Sequence, residues 1–256
     1  MDIEIISSKI KEAGCDIYYV DDFSITLPHS FLLNGKLYFR FCEFIFIPDS
    51  TESLSPDQVI IVNQIRAVYF KTHPQFHVNI IVKELFKSMI EVLNPTTVLE
   101  FGPGFNPLTP SADNGNNFYF VDFNPTSIEF LKSLGLNSNL FGKESMLSIP
   151  NESIDVIISI FVFQFDISQT QVNELYRVLN MNGLLLANMY KRSEESRIEL
   201  IDKFSSTGFL HSIVSDRSNL CLNHEYWVLY KTKNEEKINT LIKHINKKAI
   251  NLGTDI

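Results

Sequence analysis

The sequence predicts an α/β protein, in which a parallel sheet covered by helices on both faces follows a smaller N-terminal α+β region. Three observations predict it. Between residues 95 and 231, short apolar runs alternate with amphipathic stretches, as strands and helices do around a parallel sheet. Residues 154–163 form a nearly continuous apolar run, the pattern of a strand buried on both faces. Finally, Val98-Leu99-Glu100-Phe101-Gly102-Pro103-Gly104-Phe105-Asn106-Pro107 joins a short apolar strand to a glycine turn, with an acid at the strand's end. A second acid, Asp122, closes the next strand. Glycines that admit a ligand to the backbone, beside carboxylates that accept hydrogen bonds, outline a nucleoside pocket.

The elements follow in order. Residues 98–101 read as strand one and 118–121 as strand two. Pro125 suits a first helical position, and Ile128, Leu131 and Leu134 share one face of the helix it opens, which Gly135 ends. A short third strand is expected near Leu140, and strand four spans 154–163. Leu175, Val178 and Leu179 mark a helix that stops at Asn180-Met181-Asn182-Gly183, with Gly183 as the hinge into strand five, 184–189. Residues 197–206 read as a helix, and 209–214 and 226–230 as two late, antiparallel strands.

Residues 1–94 have a different pattern and are expected to form a cap. Ile3, Ile6 and Ile10 predict an initial amphipathic helix. Residues 17–27 and 37–47 are rich in aromatic and β-branched residues, and Asn34-Gly35 between them signals a turn, so a small antiparallel layer is expected. Two helices follow, at 56–70 and 78–93. The second presents Ile81, Leu85, Met89 and Val92 on one side before Asn94-Pro95 stops it, and is expected to pack on the sheet. Residues 95–232 form the core, and 233–256 a basic amphipathic tail. From 231 to 248 the chain has six lysines against two glutamates, with Ile238, Leu241, Ile242 and Ile245 at helical spacing. A solvated helix docked on the surface is the first reading, a membrane or RNA contact the second.

Composition bounds the function. The 256 residues, 45% hydrophobic, are enough to bury a full core. A formal net charge of -8 disfavours a nucleic-acid partner, since phosphate binding shows as clustered basic surface, and points to small or neutral substrates. Cys15, Cys42 and Cys221 are far apart and lack CxxC spacing, which suggests neither a disulfide framework nor a zinc site. Met1-Asp2-Ile3-Glu4 lacks the basic start of a secretory signal, and no apolar run approaches the ~18 residues of a membrane span. A soluble, cytoplasmic protein with no membrane partner is expected; oligomeric state is unread.

Four segments, in order, resemble the class I S-adenosylmethionine-dependent methyltransferases, especially the small-molecule branch. Glu100-Phe101-Gly102-Pro103-Gly104 is similar to the family's acid-x-Gly-x-Gly turn, and Val121-Asp122 to its ribose-binding acid. Ser145-Met146-Leu147-Ser148-Ile149-Pro150, followed by Ser153-Ile154-Asp155-Val156-Ile157, is similar to its adenine loop and the lead into strand four. Tyr176-Arg177-Val178-Leu179-Asn180-Met181-Asn182-Gly183 is similar to the Arg-Val-Leu-Lys-Pro-Gly-Gly segment before strand five.

The resemblance implies a Rossmann-like seven-stranded sheet of order 3-2-1-4-5-7-6 with the last strand antiparallel. It also implies S-adenosyl-L-methionine as cofactor and methyl transfer to a small molecule. It places cofactor contacts at Glu100 (methionine ammonium), Gly102 and Gly104 (close backbone approach), Asn106, Asp122 (ribose hydroxyls), Phe123, Ser145, Met146 and Phe161. Three positions depart from the pattern: Asn106-Pro107 stands where many members have a third glycine, Ser145 where an acid is common, and Met181-Asn182-Gly183 where Pro-Gly-Gly is usual.

Because a sulfonium methyl is already activated, such a site needs alignment and exclusion of water rather than a catalytic triad. Gln164, at the end of strand four, is a candidate for orienting a polar acceptor. Phe161, Phe163 and Phe165 are candidates for lining the sulfonium, though alternating phenylalanines also suit a plain core. Tyr190 is a candidate acceptor-side hydroxyl, and His77 of His73-Pro74-Gln75-Phe76-His77 a candidate general base or an ordinary surface histidine. Two histidines are too few for a zinc site. The rival readings are a non-methylating use of the cofactor, such as intramolecular cyclisation releasing methylthioadenosine, and a catalytically degenerate binding subunit. A nicotinamide dehydrogenase is disfavoured by the missing last glycine of GxGxxG.

Overall fold

The computed structural model describes residues 8–12, 15–19, 30–41, 45–48, 53–72, 77–108, 117–190, 192–216 and 224–252. The chain divides into two compact units, Met1–Pro74 and Gln75–Ile256.

In the first unit, β1 (Ser8–Glu12), β2 (Cys15–Tyr19), β3 (Ser30–Leu33), β4 (Lys36–Arg40) and β5 (Ile45–Ile47) precede α1 (Pro56–Thr72). The strands form one antiparallel sheet of order β1-β2-β5-β4-β3. Asn34 and Gly35 both take left-handed backbone angles (φ 51° and 76°), as a two-residue hairpin requires, and join β3 to β4. Tyr18, Phe31, Tyr38 and Phe46 cluster beneath, with the Phe31 and Tyr38 rings stacked at 5.1 Å. One expectation changes: Ile10 lies in β1 opposite Ile17 rather than in a helix, because strand pairing with β2 satisfies its backbone; Ile3 and Ile6 fall outside the described residues. Residues 37–47 contribute to two strands of the antiparallel layer, the chain turning back so that Phe39 lies opposite Ile47.

The second unit opens with α2 (His77–Leu93) and continues through β6 (Thr97–Phe101), β7 (Asn117–Asp122), α3 (Pro125–Ser133), β8 (Ser138–Leu140) and β9 (Ile154–Ser159). After these come α4 (Gln169–Val178), β10 (Leu179–Met189), α5 (Glu194–Thr207), β11 (Leu210–Ser215), β12 (Glu225–Tyr230) and α6 (Glu235–Leu252). The seven strands run β8-β7-β6-β9-β10-β12-β11, which is the expected 3-2-1-4-5-7-6 order, and β12 is antiparallel to both neighbours. One face is covered by α2 and α6, whose Leu85, Phe86, Met89, Leu241 and Ile245 pack with Val98, Ile158, Leu186 and Val228. On the other face, Val172 and Leu175 of α4 and Leu200 and Phe204 of α5 pack with Leu99, Ile157, Leu185 and Trp227.

The second unit begins before α2, and the apolar stripe of that helix is buried in its core. Strand four ends at Ser159 instead of 163, since Phe161 takes a left-handed φ of 59° and leaves the sheet. Phe163 is then fully buried against Phe204, 5.3 Å between ring centres, as core. Leu134 is the exposed C-cap residue after α3 rather than part of its buried face. The apolar side of the lysine-rich C-terminal helix is covered by α2, in keeping with a docked surface helix. Among the described residues, no helix is long and apolar enough to cross a membrane.

Leu241 is fully buried between α6 and its neighbours. Leu241→Ala is expected to lower the unfolding free energy by about 2–5 kcal/mol, read from the urea midpoint. Replacing the exposed Lys247 and Lys248 with alanine should leave that midpoint nearly unchanged.

Candidate functional site

Parallel pairing of β6 with β7 brings their carboxyl ends side by side, so that Glu100 and Asp122 face a common turn. Both are buried, at 2% and 4% exposure. Asp122 Oδ2 accepts the Gly104 N–H at 2.9 Å and its Oδ1 accepts the Asn124 N–H at 2.8 Å. Asn124 in turn caps α3, its Oδ1 accepting the Thr126 N–H. The two oxygens of Glu100 share one donor, the N–H of Leu108, at 2.9 and 3.2 Å.

The turn between the acids depends on glycine. Gly102 has φ 76°, and a Cβ there would lie 2.4 Å from Val162 Cγ2. Gly104 has φ 58° with open space where a side chain would stand, leaving its backbone accessible to a ligand. Asn106 is exposed, and its carbonyl oxygen accepts from Lys83 Nζ of α2. Phe123 is half-buried directly after Asp122.

β8 pairs Leu140 with Asp122, so the segment after β8 leaves the same edge of the sheet. There Ser145 Oγ accepts the Gly142 N–H at 3.1 Å, and Met146 is 73% exposed. Arg177 holds the end of this segment: it pairs with Glu174, and its guanidinium also donates to the Leu147 and Ile149 carbonyls, while Glu174 accepts the Leu147 N–H at 2.7 Å. The Arg177 hydrogen bond keeps the Glu174 carboxyl below its usual range.

At the ends of β9 and β10 the backbone of Phe161 is held from two sides. Its N–H donates to Asn188 Oδ1 at 2.6 Å, and its carbonyl accepts from Gln164 Nε2 at 3.0 Å. Gln164 Oε1 and Asn188 Nδ2 are buried with no hydrogen-bond partner. The left-handed φ of a bulky residue, together with unsatisfied amide atoms, marks stored strain of the kind found at ligand sites. The Phe161 ring stands edge-on to Tyr190 at 5.4 Å and to His224 at 6.1 Å, and Tyr190 and His224 lie 4.8 Å apart.

The predicted residues thus gather along one sheet edge in three groups: Glu100, Gly102, Gly104, Asn106, Asp122 and Phe123; Ser145 and Met146; Phe161, Gln164 and Tyr190. His77 is the first residue of α2, and its side chain lies outside the described residues. Sequence reasoning missed Lys83, Leu108, Asn188 and His224. An asparagine inside the apolar run 184–189 was a readable signal. His224 reaches this edge because the antiparallel β12 starts there, Glu225 lying opposite Met189. Among the described residues, no group of His, Cys, Asp and Glu is arranged to hold a metal ion.

Burial raises the Glu100 carboxyl from its usual 4.5 to about 7, and nearby Asp122 adds to this while the Leu108 N–H and Lys83 oppose it. Burial also raises Asp122. A folded state that holds a proton the unfolded chain has lost is stabilised below the unfolded value, and that stability disappears as pH rises through the folded one. Between pH 4.5 and about 7, Glu100 is expected to withdraw on the order of 3 kcal/mol. Asp122 has the same sign, so the Glu100 share is the difference in pH slope between wild type and Glu100→Gln in denaturant titrations. Separately, Gly102→Ala should lower the melting temperature by several degrees, equivalent to about 1–3 kcal/mol from the left-handed φ and the clash with Val162. Adding Val162→Ala should recover only the steric part.

Residues 99–187 match the family model described as a methyltransferase domain. No curated protein matches the chain by sequence. Among solved structures, the chain is similar to a TehB-like SAM-dependent methyltransferase from Corynebacterium glutamicum, with 12% identity over 67% of this chain and 96% of that one and a TM-score of 0.50. A SAM-dependent methyltransferase from Aquifex aeolicus shows 19% identity over 52% and 80% of the respective chains, with a TM-score of 0.42. The cyclase SpnF shows 13% identity over 57% and 78%, with a TM-score of 0.47. Residues 99–187 thus match a methyltransferase domain, set within a seven-stranded sheet of the expected order.

Proposed function

We propose that this chain transfers a methyl group from S-adenosylmethionine to a small-molecule acceptor that meets it at the carboxyl ends of β9 and β10. One observation carries the reading: two buried carboxylates bracket a glycine turn at the edge where the sheet order reverses, the place where open α/β sheets bind ligands.

The residues suit the cofactor. The Asp122 oxygens take the Gly104 and Asn124 N–H groups, with the Phe123 N–H also against them, and a carboxylate's roughly four acceptor positions leave room for a ribose hydroxyl. Glu100, served by a single N–H, has capacity for the methionine ammonium. Gly102 and Gly104 admit the ligand to the backbone, with Asn106 and Phe123 flanking the turn and Ser145 and Met146 on the adenine side. The Phe161 ring offers its face to a cationic sulfur. When bound, the cofactor supplies a methyl carbon already activated for attack.

What this chain's own residues add is placement. Gln164 and Asn188 present one acceptor and one donor atom without partners, suited to orienting a polar acceptor group. Tyr190, its ring against that of Phe161, offers a hydroxyl able to pass a proton. The net charge of -8 argues against a polyanionic acceptor and supports a small molecule.

S-adenosylmethionine and S-adenosylhomocysteine are expected to raise the melting temperature while NAD does not; stabilisation by NAD alone would overturn the reading. Asp122→Asn should weaken affinity for S-adenosylhomocysteine by on the order of 1–3 kcal/mol, measured by calorimetry. Turnover should yield S-adenosylhomocysteine; methylthioadenosine as product would replace methyl transfer with cleavage of the amino-acid arm.

A further inference from the structure

We propose that Glu100 exchanges a proton for the cofactor: it is protonated while the pocket is empty and releases that proton to solvent when the ligand's ammonium settles against it. The proposal deepens the methyl-donor reading and rests on it.

The geometry of the carboxyl group leads to this. Glu100 is 2% exposed, and both oxygens draw on the single N–H of Leu108. An ionised carboxylate offers about four acceptor positions, so a buried one with a single donor is poorly served, whereas the neutral acid loses far less. The charged neighbours do not compensate. From α2, Lys83 attracts, but its ammonium donates to the Asn106 carbonyl at 2.5 Å. From β7, Asp122 repels. On β9 the paired Ile158 and the following Ser159 carry no charge, and the 102–108 turn contributes only the Leu108 N–H. Burial accordingly pushes the carboxyl to about 7.

A ligand ammonium supplies what the site lacks, namely a positive charge and several donors. Its arrival makes the carboxylate the stable form, and the carboxyl proton passes to the buffer while the ammonium keeps its own three. No covalent bond of the ligand changes. Below the carboxyl's value the ligand must displace a proton, so affinity should fall up to tenfold for each pH unit of acidification. A ligand with the same nucleoside but no amino-acid arm brings no ammonium to Glu100 and leaves its proton in place.

Calorimetric titration of the full chain decides it, using S-adenosylhomocysteine and methylthioadenosine as probes in two buffers of different ionisation enthalpy. At pH 6, the heat for S-adenosylhomocysteine should differ between buffers by an amount corresponding to nearly one released proton, and at pH 8 the difference should largely vanish. Methylthioadenosine should give equal heats at pH 6, which tests the idea without any mutation. Glu100→Gln should remove both the buffer difference and the pH dependence of affinity. Equal heats for S-adenosylhomocysteine at pH 6, or proton release that persists in Glu100→Gln, would overturn the proposal while leaving cofactor binding intact. Absence of binding by either probe at any pH would instead overturn the methyl-donor reading, and this proposal with it.

Discussion

The Asp122 carboxylate is the joint on which the site depends. Its two oxygens tie the glycine turn after β6 to the start of α3, through Gly104 and Asn124. Three segments are thereby held at one point: the turn after β6, the end of β7 and the cap of α3. A buried carboxylate survives there because backbone N–H groups offset part of its desolvation, yet burial still outweighs them. The same group that shapes the turn is the one we propose for the ribose hydroxyls.

Around that joint the sheet edge is organised by parallel and antiparallel pairing. The parallel strands β8, β7, β6, β9 and β10 all release their loops at one edge, and the reversed β12 begins there. The loop after β8 is held by Arg177 and Glu174, a pair one turn apart on α4 and only partly exposed. At the other end of the edge, Asn188 and Gln164 grip the strained Phe161 backbone. These clamps flank the glycine turn, where the Gly104 position faces open space.

Much of this was legible in the chain. Pro125 opened its helix, Asn34-Gly35 made its hairpin, and the order of the core strands followed the resemblance. The break at Phe161 was not legible, because an apolar run reads the same whether it continues as a strand or turns inward to bury Phe163. Ile10 misled for a related reason: spacing of three suggests a helix, while strand pairing with a distant partner decides otherwise. The membership of α2 in the second unit depended on which surface its stripe met, and an amphipathic pattern does not name its partner.

By itself the sequence determined which chemical groups stand at strand ends, since an acid after an apolar run and glycines after the acid are local facts of covalent order. Only the tertiary structure decided how those groups are served. That Glu100 receives one donor, that Asp122 receives the Gly104 N–H, and that His224 stands beside Tyr190 and Phe161 all depend on contacts the local order of residues does not contain. Burial and hydrogen bonding set the charge a carboxyl group carries, and both are properties of surroundings that no local stretch of residues contains.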